Sequence, residues 1–208
     1  MRKLAHKTSV FLKMVAIYKN WPRLVFYHLN WMPGSMVVVL RDGSKFRVRD
    51  RREELSDAYV INESYLYGIH DNILPYIKNA KVGLDVGAHI GTFSVFAAKR
   101  SPAKIFAIEP TDTNLLVLRE NIKLNGLSGR VIPLKLALSG KSESIKLFSP
   151  KNGGLASTTR GHVELYGGDK EGPVHVSEVR ALSLADFFSE NKIEFCDFIK
   201  MDCEGGGI

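Results

Sequence analysis

Acidic residues are absent from the first fifth of this chain. None occurs before Asp42, while Arg2, Lys3, Lys7, Lys13, Lys19, Arg23 and Arg41 lie in that stretch. The formal net charge of the 208-residue chain is +7, so these seven basic residues account for the whole excess. The remainder is balanced and carries no interleaved basic and aromatic pattern, and nucleic acid is not an expected partner. Cysteine is scarce as well. Cys196 and Cys203 are the only two. They have no second pair and no clustered histidine, so no zinc site or other metal site is expected. Buried thiols in a reducing, cytoplasmic compartment are the natural reading. No apolar run approaches the roughly 20 residues that span a bilayer, and no compact apolar segment with a small-residue cleavage site marks a signal peptide.

What is present suits one core-bearing domain, with 45% hydrophobic residues. The segment Val82-Gly83-Leu84-Asp85-Val86 is apolar and ends in Gly87-Ala88-His89-Ile90-Gly91, followed by Thr92, Phe93 and Val95. That pattern predicts a buried parallel strand, a tight glycine turn and a helix. Glycine at 87 and 91 lets backbone approach a ligand. Asp85 is a poor neighbour for a pyrophosphate and a good one for a ligand bearing an ammonium and a sulfonium, as S-adenosylmethionine (SAM) does. The spacing also departs from the dinucleotide fingerprint G-x-G-x-x-G. A second strand, Lys104 to Ile108, ends in Glu109-Pro110. An acid there can accept both ribose hydroxyls of an adenosine, in NAD as in SAM. Glu109 is expected at a solvent-accessible strand end, so that its replacement barely changes stability.

Further elements follow the same logic. Residues 1–31 read as helix, broken at Trp21-Pro22. Residues 36–40 and 45–49 read as a hairpin about Asp42-Gly43, and 72–77 as a short helix. The alternation of strands (82–86, 104–108, 130–136) with helices (91–100, 112–124) predicts a parallel sheet with right-handed crossovers. Asp112 or Thr113 is expected to cap the second of those helices, and Asn125-Gly126 to end it. Residues 143–148 and 174–180 read as an antiparallel ribbon around a loop rich in Gly, Ser and Thr. Leu182 to Glu190 reads as helix and Cys196 to Met201 as a buried strand. The fold class is therefore α/β: Rossmann-like and doubly wound, with an N-terminal helix and β-hairpin and an inserted ribbon. Three regions are expected: a basic helical arm over 1–34, a hairpin and helical subdomain over 35–78, and the core over 79–208.

Four blocks carry a family resemblance: Asp85-Val-Gly-Ala-His-Ile-Gly-Thr-Phe, Ala107-Ile-Glu-Pro, Asn121-Ile-Lys-Leu-Asn-Gly, and Phe198-Ile-Lys-Met-Asp-Cys-Glu-Gly. From about Arg41 to Gly205 the chain resembles FkbM-type SAM-dependent methyltransferases. The resemblance implies SAM as cofactor and methylation of a hydroxyl on a small molecule or sugar. It implies that Asp85, Gly87, Ala88, His89, Gly91, Glu109 and Pro110 hold the cofactor, with Glu63 and Tyr67 in a segment that folds over it. It places Asp202 at the transfer site, as acceptor-orienting group or base, with Lys200 or Glu204 assisting. Asn152, Gly153, Gly154 and Ser157 match a small-residue loop that approaches the acceptor. A complete fold of this class has seven strands, and four of its parallel core are countable here. The C-terminal strands are thus expected to be missing, or the 196–201 edge to be covered by a partner or second copy. A degenerate SAM-binding domain without catalysis and an NAD-binding domain are the alternative readings. Residues 1–31 form a basic amphipathic segment that can lie on an anionic membrane surface or pack on its own domain.

Overall fold

The computed structural model describes residues 2–150 and 174–202. The chain divides into two compact units, residues 1–72 and 73–208.

In the first unit, α1 (Arg2–Ile17) and α2 (Trp21–His28) are separated where Pro22 enters the first turn of α2. Proline there costs nothing, because its missing N–H would have no intrahelical partner. Strands β1 (Met36–Val39) and β2 (Lys45–Val48) pair antiparallel, with Met36 opposite Val48. Gly43 takes a φ of +81° in the turn, and the Asp42 carboxylate accepts the Ser44 N–H at 2.8 Å. Val38, Leu40, Phe46 and Val48 turn inward with Tyr18, Leu24 and Tyr27. Helix α3 (Ser56–Ile61) continues into a π-helical turn over Asn62–Leu66. The Tyr18 hydroxyl donates to the Asn62 side-chain oxygen at 2.5 Å. No helix among the described residues is long and apolar enough to cross a membrane.

In the second unit a 3-10 turn leads into α4 (Leu74–Ile77). The core elements follow as β3 (Val82–Val86), α5 (Thr92–Arg100), β4 (Lys104–Ile108), α6 (Asp112–Leu124) and β5 (Val131–Leu134). Then come β6 (Ala137–Leu138), β7 (Glu143–Pro150), β8 (Val174–Leu182), α7 (Leu184–Glu190) and β9 (Phe198–Met201). Four strands form a parallel sheet in the order β5–β4–β3–β9. The chain moves outward from β3 to β5, then returns to pair β9 on the other side of β3. Strand order therefore reverses between β3 and β9, where ligands lie in open α/β sheets. Strands β7 and β8 form the expected ribbon, with β6 added parallel to β8. One face of the sheet packs Leu84, Val86, Phe106 and Ile108 against Leu136, Leu182 and Phe187.

Three local expectations need correction. Helix α6 is capped from Thr111, not Asp112 or Thr113; Thr111 makes no side-chain cap bond, and its hydroxyl donates back to Glu109. Asp112 instead meets Lys135 at 2.7 Å. Strand β9 is shorter than expected and lies at the sheet edge among the described residues, with Ile199 and Met201 exposed. It begins after Asp197, whose carboxylate accepts the N–H groups of Lys81 and Val82 at 2.8 and 2.9 Å. Cys196 is a half-buried free thiol, its pKa pushed up by burial.

Candidate functional site

Strand β3 delivers the chain to the glycine turn at the sheet's carboxyl edge. Gly87, His89 and Gly91 have φ of +74°, +51° and +85°. Three left-handed residues in five curl the backbone back on itself, a shape glycine permits at 87 and 91 without strain. The turn is tied to β4: the Ile108 carbonyl accepts the N–H of Gly87 at 3.0 Å and of Ala88 at 2.9 Å. Asn121 from α6 donates to the Ile90 carbonyl at 2.9 Å. A Cβ on Gly91 would stand 2.4 Å from a Leu118 methyl. The third block of the sequence thus serves as a brace for the first.

Glu109 follows β4 and closes the turn. One carboxylate oxygen, Oε2, accepts the His89 N–H at 2.8 Å. The other, Oε1, accepts the Thr111 N–H at 3.0 Å, its hydroxyl at 2.5 Å and the Asn114 amide at 3.4 Å. The residue is only 4% exposed. The expectation of a solvent-accessible Glu109 with little structural role is therefore incorrect: this acid staples the turn to α6. A carboxylate has about four lone-pair sites, and Oε2 has one donor among the described residues. It retains capacity for a hydroxyl donor.

Asp85 lies beneath the turn, fully buried. Its Oδ2 accepts the Ser94 hydroxyl of α5 at 2.6 Å, and its Oδ1 stands 3.3 Å from Lys200 Nζ. Lys200 is on β9, in register beside Asp85. Its ammonium also lies 3.5 Å from Asp202 Oδ2 and 3.4 Å from the Gly87 carbonyl. Burial works to discharge Lys200, but Asp85 and then Asp202 outweigh it and raise its pKa above the ordinary lysine value. A lysine held in its charged form is no proton acceptor. Asp202 follows β9, its N–H donating to the Val86 carbonyl at 3.0 Å, and its side chain is 73% exposed.

The structure thus gathers Asp85, Gly87, Ala88, His89, Gly91, Glu109, Pro110, Lys200 and Asp202 on one sheet edge. Glu63 and Tyr67 belong to the first unit, where Glu63 accepts a hydrogen bond from Tyr59 and Tyr67 is exposed. Glu204, Cys203, Asn152, Gly153, Gly154 and Ser157 lie outside the described residues. Sequence reasoning missed Ser94, Thr111, Asn114 and Thr92. A Thr or Ser one turn into a helix carries no signal until the strand end facing it is known. Thr92 is informative: its hydroxyl, at the start of α5 beside Gly91, is buried and has no hydrogen-bond partner among the described residues. A buried polar group without a partner is costly, and here it borders the turn. These features fit the polar groups of an adenosyl cofactor.

A parallel sheet reversing at β3, a left-handed glycine turn and an acid stapling it after β4 define a class, the Rossmann-like SAM-dependent methyltransferases, with SAM as its cofactor. Within that class the chain belongs to the family described as the methyltransferase FkbM domain, whose model matches residues 85–208. Protein arginine N-methyltransferase 1.1 of Arabidopsis thaliana is 31% identical over 159 residues, covering 69% of this chain and 39% of that protein. The chain therefore spans 29–39% of the length of the curated relatives it matches first. The tRNA (guanine(37)-N(1))-methyltransferase of Batrachochytrium dendrobatidis is 36% identical over 73 residues, 35% of this chain and 15% of that protein. The crystal structure of the M. jannaschii tRNA m1G37 methyltransferase aligns with a TM-score of 0.39 and 25% identity, over 51% of this chain and 32% of its own. The exclusion of nucleic acid drawn from charge patterning is overturned by the relative named for tRNA. Charge balance over residues 42–208 describes the free surface, and it does not report what a cleft admits. The NAD alternative also gives way to the family match.

Proposed function

We propose that this chain transfers the methyl group of SAM to an oxygen acceptor, a hydroxyl of its substrate. The observation that carries the reading is the β3–α5 turn, closed by the His89 N–H on Glu109, at the point where strand order reverses. The remaining Glu109 capacity suits the ribose, and the Thr92 hydroxyl and the turn's backbone suit the rest of the cofactor. SAM supplies an already activated methyl group on a sulfonium. The protein need only hold the acceptor in line and take up its proton.

Asp202 is the group best suited to that proton. It is an exposed carboxylate beside the turn, whereas Asp85 is buried in a pair and Lys200 is held charged. Bound SAM would supply the methyl group together with a thioether leaving group that keeps the carbon–sulfur electrons. The hydroxyl proton passes to the Asp202 carboxylate. Relatives are named for protein arginine and for tRNA, so the acceptor test must span chemistries. Radiolabelled SAM is offered with small hydroxyl compounds, sugars, tRNA and an arginine-rich peptide. Label transferred to base-stable, oxygen-linked methyl groups supports the reading. Label found only on nitrogen would overturn the oxygen assignment while leaving the methyltransferase reading intact.

A further inference from the structure

Helix α2 is apolar on both sides. Leu24 and Tyr27 are buried in the first unit. Pro22, Phe26 and Leu29 follow the i, i+4, i+7 spacing and share the opposite face, where Phe26 and Leu29 are exposed. Trp31 follows, 68% exposed, its ring stacked on Phe26 at 5.9 Å and its N–H on the Phe26 carbonyl at 2.9 Å. On α1, Phe11 and Leu12 are exposed too, and Phe11 meets Trp21 edge-on at 5.5 Å. Single exposed apolar side chains are ordinary, but a group of them marks an interaction surface. The free charge on these helices has one sign. Lys13, Lys19 and Arg23 are exposed and have no carboxylate partner among the described residues. Arg51 adds a guanidinium on the Asn30 side chain at 3.2 Å. The first unit has twelve Lys and Arg against seven Asp and Glu, an excess of five positive charges. Several of its acids are already engaged: Asp50 with Arg52, Glu54 and Asp57 with Arg49, Glu63 with Tyr59.

We infer that this surface binds an anionic lipid bilayer. Phe26, Leu29 and Trp31 enter the boundary between headgroups and acyl chains, and Lys13, Lys19 and Arg23 meet the lipid phosphates and carboxylates. Trp, Phe and Leu beside Lys and Arg on a helix is the composition that lies in that plane. Leu24 and Tyr27 fix α2 to its own unit, so the helix is held ready and need not fold on the lipid. RNA suits the surface less well. Bases need open aromatic faces to stack on. Phe26 and Trp31 cover one another, and Leu12 and Leu29 offer no such face.

The test is co-sedimentation of the full chain with vesicles of phosphatidylcholine alone and of phosphatidylcholine mixed with phosphatidylserine. The mixed vesicles should bind the wild type about tenfold more strongly or better, since each Lys or Arg near such a surface adds about fivefold. That preference should shrink as ionic strength rises from about 0.1 to 0.5 M. Phe26→Ser with Leu29→Ser should lose about tenfold or more, from two apolar side chains no longer buried. Lys19→Glu with Arg23→Glu should lose about as much on the mixed vesicles. All four side chains are exposed, so circular dichroism should show the fold retained. A readout on the wild type avoids any question of folding: brominated phosphatidylcholine in mixed vesicles should quench the tryptophan emission, with most of the quenching lost in Trp31→Phe. No binding of mixed vesicles by a folded wild-type chain would overturn the inference, as would equal binding to neutral vesicles or full binding by the serine variant. Without vesicle binding, tRNA bound by the wild type and released by the glutamate variant would overturn it in favour of nucleic acid. Self-association lost in the serine variant, again without vesicle binding, would overturn it in favour of a second copy.

Discussion

Replacing Glu109 by alanine removes the acceptor for His89, Thr111 and Asn114 at once. Hydrogen bonds to charged groups contribute about 1.5–3 kcal/mol each, less where the freed donors regain water. We expect Glu109→Ala to lose about 2–4 kcal/mol in denaturant unfolding and at least tenfold in SAM affinity by calorimetry. An unchanged unfolding midpoint would contradict the stapling role. Lys200 carries a second residue-scale expectation. Lys200→Met leaves Asp85 buried without its ion, and breaking such a pair costs about 3–5 kcal/mol. The double variant Asp85→Asn with Lys200→Met removes both charges and should be more stable than the lysine variant alone. The sign of the pH dependence follows from the raised Lys200 pKa. A raised folded-state pKa gives stability that is fully present below the unfolded value of about 10.4 and is lost as pH rises through the folded value. Alkaline unfolding curves should therefore be steeper for the wild type than for the double variant above about pH 10.

At the scale of elements, the strand–turn–helix unit was legible because glycine spacing and an apolar run are local signals. Its bracing was not. Gly91 meets Leu118, Asp85 meets Lys200, and Asp197 receives the N–H groups of Lys81 and Val82. Those pairs lie 27 to more than 110 residues apart, and only the sheet order brings them together. The α6 cap shows the same limit. Sequence rules favour Asp112 or Thr113, yet Thr111 holds the position, with its hydroxyl donated to Glu109. Gly83 is another case, read from sequence merely as part of an apolar run. A Cβ there would lie 2.2 Å from the Phe198 ring, so glycine is what lets β9 dock on β3. Gly83→Ala should destabilise by about 1–3 kcal/mol, the usual cost of overpacking. Because Lys200 follows Phe198 on the same strand, SAM affinity should fall with it. A neutral effect on both thermal unfolding and binding would show that β9 packs otherwise.

For the whole molecule, net charge proved the least informative number. The +7 excess belongs to the first 41 residues, and charge balance elsewhere led to an exclusion of nucleic acid that a relative named for tRNA overturns. Fold class, by contrast, follows from the order of elements, since alternating strands and helices leave few topologies. The central claim is that the edge formed by β3, β4 and β9 holds SAM. Calorimetric titration of S-adenosylhomocysteine and of NAD into the wild-type chain and Gly91→Ala tests it most directly. Alanine at a φ of +85° beside Leu118 is strained and disturbs the turn. The wild type should bind S-adenosylhomocysteine and show no measurable NAD binding, and folded Gly91→Ala should lose at least tenfold in affinity. Binding of NAD without S-adenosylhomocysteine by a folded wild-type chain would contradict it.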